Sequence, residues 1–250
     1  MIDTHAHLDA LEEPEAAMER AAAAGIARIV TIGTGIESCR AALGLAGSHG
    51  GVYVHAALGI DPHRADTAEA ARLDELNELL GAHPDVVAVG ETGLDYHYGA
   101  DRKEEQRRLF AAQLSLAAAT GYPVVVHTRA ANDDTIALLR SHPGTVVMHC
   151  FSEPALLSAA LEYGWYVSFA GNITYPKADE LRAAAAQIPA DRILVETDSP
   201  YLAPQPVRGR RNEPAYVRHT VAGLAGLRQV ESDQLTAQID ANATAAFRLS

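Results

Sequence analysis

Eight short apolar runs recur along the chain, and five of them close on ionisable residues. They are Ile2–His5, Arg28–Gly33, Tyr53–Gly59, Val86–Glu91, Pro123–His127, Thr145–His149, Trp165–Phe169 and Arg192–Asp198. Runs this short, rich in Val and Ile, predict strands buried on both faces, as in a parallel sheet. Between them lie Ala- and Leu-rich stretches with helical spacing, such as Glu15–Ala24, Leu73–Leu80, Glu104–Ala119 and Asp133–Arg140. His83-Pro84, Gly121-Tyr122-Pro123 and Pro143-Gly144 punctuate helix ends. Eight strands alternating with helical segments predict one closed (β/α)8 barrel of the TIM type, and 250 residues is the usual size for one. With no linker, low-complexity tract or second hydrophobic pattern, residues 1–250 read as a single domain. The irregular stretch from Pro200 to Pro214 follows the last strand and is expected to lie over the barrel mouth.

Such a barrel carries its chemistry at the C-terminal ends of its strands. The ionisable residues there are His5 and His7, Glu91, His127, His149 and Asp198. Four imidazoles and two carboxylates converging on one mouth predict a two-metal hydrolytic site. His5 and His7, two apart on a strand, point to one face and can grip one ion together. A His-x-His triplet alone is a weak signal in a chain with 11 histidines; its place at the end of the first strand gives it weight. A carboxylate has two oxygens and can bridge two cations. The fourth strand offers no lysine for that part, so Glu91 is expected to take it. Asp198, ending the eighth strand, can bind metal and accept a proton from an attacking water. Glu91 and Asp198 are thus the candidate catalytic residues.

Most other histidines have blander readings. His83 and His142 precede prolines, His49 and His219 lie in helical or loop segments, and His55 comes early in its strand and packs. His63 differs: it follows Gly59-Ile60-Asp61-Pro62 at a strand end and should face the mouth, towards substrate phosphate. Cys150 directly follows His149, so strand alternation points it towards the helix layer. Twenty basic against 32 acidic residues give a net charge of −12, which excludes a broad basic face for duplex nucleic acid. Nucleic-acid binding would have to be local, through metals and a rim containing Arg129, Lys177, Arg208, Arg210 and Arg211. Two cysteines are too few for a disulfide framework and suit a reducing compartment. No secretory leader or membrane-length apolar run is present, and the expected location is cytoplasmic.

Several segments carry a family resemblance. They are Asp3-Thr4-His5-Ala6-His7-Leu8-Asp9, Gly90-Glu91-Thr92-Gly93-Leu94-Asp95-Tyr96, His127-Thr128-Arg129 and His149-Cys150-Phe151-Ser152. Val195 to Pro204 and Arg208 to Val217 match most closely. In order and spacing the chain resembles the TatD-related metal-dependent deoxyribonucleases, over its whole length. The resemblance implies a barrel of the metal-dependent hydrolase superfamily, two divalent ions (Mg, Mn or Zn) and hydrolysis of phosphodiester bonds in DNA. It implies that His5, His7, Glu91 and Asp198 hold one ion, and Glu91, His127 and His149 the other. DNA or an oligonucleotide would bind locally at the mouth, with His63, Arg129, Tyr201, Arg208, Arg210 and Arg211 as substrate contacts. A barrel-mouth pocket admits a strand end better than a duplex interior, so exonuclease-like action is the expectation. No membrane and no obligate protein partner are implied. Two positions depart from the family pattern: Asp61 replaces a common histidine, and Glu153 replaces a glycine. Both add negative charge near the mouth. The alternatives are hydrolysis of a carboxylic ester or amide at the same metals, including an aminoacyl-nucleic-acid ester, and a metal-containing binding protein without turnover.

Overall fold

The apolar runs form the staves of a barrel, and the helical stretches form its outer ring. The computed structural model describes residues 1–249. In chain order it contains β1 (Ile2–Ala6), α1 (Pro14–Ala23), β2 (Arg28–Gly33), α2 (Ile36–Gly44), β3 (Gly47–His49) and β4 (Val52–Leu58). There follow α3 (Leu73–Ala82), β5 (Val86–Asp95), α4 (Lys103–Thr120), β6 (Val124–Arg129), α5 (Asn132–Leu139) and β7 (Val146–Met148). The last elements are α6 (Leu157–Tyr163), β8 (Tyr166–Phe169), α7 (Asp179–Ala185), β9 (Ile193–Val195), α8 (Val217–Arg228) and α9 (Ser232–Phe247). Eight parallel strands run in the order β1-β2-β4-β5-β6-β7-β8-β9, as the sequence predicts.

The extra strand, β3, escapes prediction because Gly47-Ser48-His49 has no apolar run. It exists as a hairpin arm, antiparallel to β4, folded back through Gly50 and Gly51. Both glycines have positive φ, 54° and 105°, which lets the chain reverse at little cost. β5 runs to Asp95, four residues past the predicted end, because Thr92 to Asp95 pair with Val126 to Arg129 of β6. β9, by contrast, stops at Val195, so Asp198 stands in the turn beyond it.

Ile2, Ile29, Leu58, Val89, Val126, Val167 and Leu194 are all fully buried, as expected of strands covered on both faces. Phe110 of α4 and Phe247 of α9 join this core from the helix layer. Each large side chain so buried contributes about 1.5–3 kcal/mol.

Closure between β9 and β1 is made mostly by side chains. The main-chain links are His7 N–H to Ser199 O (2.8 Å) and Asp198 N–H to His5 O (2.9 Å). Below them the buried Asp3 carboxylate accepts from Thr197 N–H (2.8 Å), Thr197 Oγ1 (2.6 Å) and His5 N–H (3.3 Å). Burial pushes this carboxyl up to about 8, although the bonds from Thr197 and His5 favour its ionised form. Asp3 therefore ties the strand bearing His5 and His7 to the turn bearing Asp198. Asp3→Ala leaves the buried N–H and the hydroxyl proton of Thr197 without an acceptor, at about 1–3 kcal/mol each. Denaturant unfolding of the chelated protein should show a loss of about 2–4 kcal/mol. Asp3→Asn, which mimics the neutral acid, should lose less than half of that; equal loss in both variants would contradict this role.

Candidate metal centre

The six predicted ligand residues meet at the C-terminal mouth. His5 leaves β1 pointing inward, and His7 follows just past its end. Glu91 lies within β5 between two glycines of strained backbone, Gly90 (φ 145°) and Gly93 (φ 138°). A Cβ on Gly90 would stand 2.6 Å from Val125 O, and one on Gly93 2.0 Å from His127 O. Glycine at both positions lets β5 press against β6, which brings Glu91 beside His127. Asp198 has φ 55°, a left-handed conformation that costs a non-glycine residue about 1–2 kcal/mol. Its N–H on His5 O and its carbonyl under Tyr201 N–H hold it there.

Glu91 faces two groups at once. Its Oε1 lies 3.1 Å from His127 Nδ1 and 3.2 Å from His149 Nε2, which are themselves 3.2 Å apart. Its Oε2 lies 3.5 Å from His5 Nε2 and 3.8 Å from His7 Nε2. Asp198 Oδ1 completes that second group, 3.3 Å from His7 Nε2 and 3.7 Å from His5 Nε2. His5 Nε2 and His7 Nε2 face each other at 3.3 Å. Ligands about 2.0–2.2 Å from a common ion stand about 3.0–3.5 Å from one another. Both groups are near that spacing, so the donor set fits a divalent cation in each.

Two further carboxylates orient the imidazoles. Fully buried Glu196 takes His149 Nδ1 at 3.1 Å and Cys150 N–H at 2.8 Å, leaving His149 Nε2 for the centre. Asp95 Oδ2 takes His127 Nε2 at 3.3 Å, leaving His127 Nδ1 for it. Asp95 is itself fixed by His97 N–H and Tyr98 N–H on Oδ1, both at 2.9 Å, and by Gln106 of α4 on its main chain. Carboxylate–imidazole pairs of this kind fix the ring tautomer and raise ligand basicity. Neither residue stands out in the sequence. Glu196 is two before Asp198, and Asp95 four after Glu91, positions that strand alternation places towards the mouth.

The charges at the centre are tightly coupled. Burial opposes the charge on His127, but Asp95 and Glu91 hold it protonated up to about 9. Burial likewise opposes His149, which Glu91 and Glu196 push well above the ordinary imidazole range. The Glu91 carboxyl, despite burial, is held well below its usual value by His149 and His127. Asp198 is lowered against burial by its hydrogen bond with His7 and the charge of His149. Protons on imidazoles thus balance the carboxylates, and a cation must displace them to bind.

The cleft above has a volume of about 990 Å³. His63 and Arg129 line it, as does Tyr201. His63 Nε2 lies 3.6 Å from Asp95 Oδ2, and burial and His127 lower its pKa, keeping it neutral. Arg64, which the sequence reading passes over, also lines the cleft and pairs with Glu69 at 2.5 Å. The three arginines after β9 do not reach the wall. Arg208 stacks over the Tyr175 ring at 3.8 Å, and Arg211 is tied to Glu12 and Ala10 O at 2.5 Å each. Arg210 and Lys177 are exposed outside it. Cys150 lines the cleft rather than the helix layer, because β7 ends at Met148 and the cysteine turns at φ 43°. Asp61 also lines the cleft with one buried, unpartnered oxygen; burial and Glu91 push its carboxyl up to about 7. Glu153 is engaged by Ala130 N–H (3.1 Å) and Asn132 Nδ2 (3.4 Å). His55 packs against Tyr53, as expected.

Two predictions follow from this charge pattern. In chelated protein, protonated His127 gives stability that is complete below its ordinary value of 6.5 and lost as pH rises through about 9. Asp3 and Asp61, with raised values of about 8 and about 7, weaken the fold in the same direction. The melting temperature of chelated protein should therefore fall between pH 6.5 and 9, and divalent metal should flatten the fall. A melting temperature that rises over this range would contradict the assignment. Glu196→Gln should weaken metal affinity by about tenfold, within the usual 10–100-fold for such partners. A chelator-competition titration checks this, and unchanged affinity would remove Glu196 from the orienting role.

The sequence profile of the family described as TatD related DNase matches residues 2–248. A Mycobacterium tuberculosis protein named "Uncharacterized metal-dependent hydrolase TatD" is 39% identical over 100% of this chain and 98% of its own. A Musicola paradisiaca protein named "3'-5' ssDNA/RNA exonuclease TatD" is 37% identical over 94% of this chain and 92% of its own. The crystal structure of a TatD homologue from Escherichia coli K12 superposes with a TM-score of 0.93 at 32% identity, covering 100% of this chain and 98% of that one. A Saccharomyces cerevisiae amidohydrolase, 18% identical with a TM-score of 0.84, shares the fold. A barrel whose mouth gathers these imidazoles and carboxylates, matched along its length, belongs to the TatD related DNase family of metal-dependent hydrolases.

Proposed function

We propose that this protein hydrolyses phosphodiester bonds of single-stranded nucleic acid, at or near strand ends, with two divalent ions that Glu91 and its neighbouring imidazoles and carboxylate would hold. The observation that carries the reading is the division of the Glu91 oxygens between two ligand groups, Oε1 with His127 and His149, Oε2 with His5 and His7. A 3'-5' exonuclease name on a relative of similar length supports the substrate class.

When bound, paired divalent ions activate water and neutralise charge growing on phosphoryl oxygens. His5, His7 and Asp198 would hold one ion, and His127 and His149 the other. Asp198, ionised and 12% exposed on its side chain, faces the cleft and can accept the proton of the attacking water. Neutral His63 and the guanidinium of Arg129 stand on the same wall, where they can donate hydrogen bonds to phosphate oxygens. The net charge of −12 gives little long-range attraction for a polyanion, so binding is confined to this mouth. Among the described residues, no helix is long and apolar enough to cross a membrane.

The test is cleavage of an end-labelled single-stranded oligonucleotide with Mg, Mn or Zn, by wild type and Glu91→Gln. The variant is nearly isosteric and should fold. Its turnover should fall more than about 100-fold, since even the hydrogen-bonding partners of metal ligands cost about 10–100-fold. Wild-type-like cleavage by folded Glu91→Gln would reject the bridged pair. Activity confined to carboxylic esters or amides would reject the nuclease reading.

A further inference from the structure

The mouth carries two exposed aromatic rings whose purpose the metal chemistry leaves open. Tyr98 is 64% exposed and Tyr201 58%, the two most exposed large hydrophobic side chains among the described residues. Both line the cleft. Tyr98 is three residues past the end of β5, the fourth stave of the ring, and Tyr201 is six past β9, the eighth. In a closed ring of eight, those staves are opposite each other, so the tyrosines rise from opposite walls.

Each ring also stands beside one ligand group. Tyr201 meets His7 edge to face, with centroids 5.9 Å apart. Tyr98 lies 6.1 Å from His63, which is 6.0 Å from His127. The Arg129 guanidinium sits 4.8 Å over the Tyr98 ring, so this platform pairs a cation for phosphate with an aromatic face. An exposed aromatic face beside a phosphate-binding site suits a nucleobase, because every base has a face that stacks.

We propose that Tyr98 and Tyr201 stack on the bases on either side of the scissile phosphate, and that this double platform selects unpaired nucleotides. The inference rests on the phosphodiester reading above and names the part of the substrate that the metals do not touch. A base in a duplex is already covered by its neighbours, so the platforms favour a frayed end or a single strand. They read no sequence, since stacking tolerates any base.

The experiment compares a single-stranded oligonucleotide with the same strand carrying tetrahydrofuran, which lacks a base, at the two terminal nucleotides. Wild type should prefer the strand with bases by about tenfold or more in kcat/KM, because each stacked base adds to binding. Tyr98→Ala and Tyr201→Ala should each shrink that preference, and the double variant should bring it near one. Tyr→Phe at both positions should retain it. Binding of the two strands in calcium, read by fluorescence anisotropy, tests the platforms without turnover. Base-dependent binding that collapses in the alanine variants supports them even if no strand is cut, an outcome that would sink only the hydrolysis reading. A preference unchanged by both alanine substitutions, or absent in wild type, would overturn the proposal.

Discussion

Glu91 divides its oxygens between two sets of nitrogen donors, and much of the mouth is arranged around that division. Gly90 and Gly93 bring the strand near enough to β6 for His127 to reach Oε1. Glu196 turns His149 so that its Nε2 faces the same oxygen. On the other side, Asp3 and the left-handed turn at Asp198 hold the last turn against β1, so that His5, His7 and Asp198 stand together. A buried carboxylate among uncharged groups would be costly. Here imidazoles surround it, and the cost is offset by protons in chelated protein or by cations in loaded protein.

The same arrangement bears on how an acidic protein would act on a polyanion, as proposed above. The cleft gathers Glu91, Asp198, Asp61 and Asp9 among its walls, an unwelcoming field for phosphate. Divalent cations bound there would reverse that field locally, over a few ångströms, while the rest of the surface stays negative. Recognition beyond the metals then falls to short-range contacts. Arg129, His63 and the exposed tyrosines line the cleft, whereas Arg208 and Arg211 are spent on Tyr175, Glu12 and Ala10.

The barrel was legible because its strands are buried on both faces and so read as Val- and Ile-rich runs. The residues that meet at the mouth were legible as candidate ligands because each stands at or just past such a run. What stayed hidden depended on backbone geometry or on distant partners. β3 rests on two left-handed glycines, not on apolar residues. Cys150 reaches the cleft because the chain turns at φ 43°, breaking the alternation that points it away. Asp95 and Glu196 act through His127 and His149, and no local pattern marks a carboxylate as the partner of an imidazole 32 or 47 residues away. Clustered arginines in a loop look alike in sequence whether free or paired, so the contacts of Arg208 with Tyr175 and of Arg211 with Glu12 were not legible.

The central claim is that one carboxylate joins two cation sites. Anomalous diffraction from crystals soaked in manganese tests it most directly. The account predicts two peaks, one on each side of Glu91, with His127 and His149 around the first and His5, His7 and Asp198 around the second. A single peak at saturating manganese, or two peaks of which one lies away from Glu91, would contradict it.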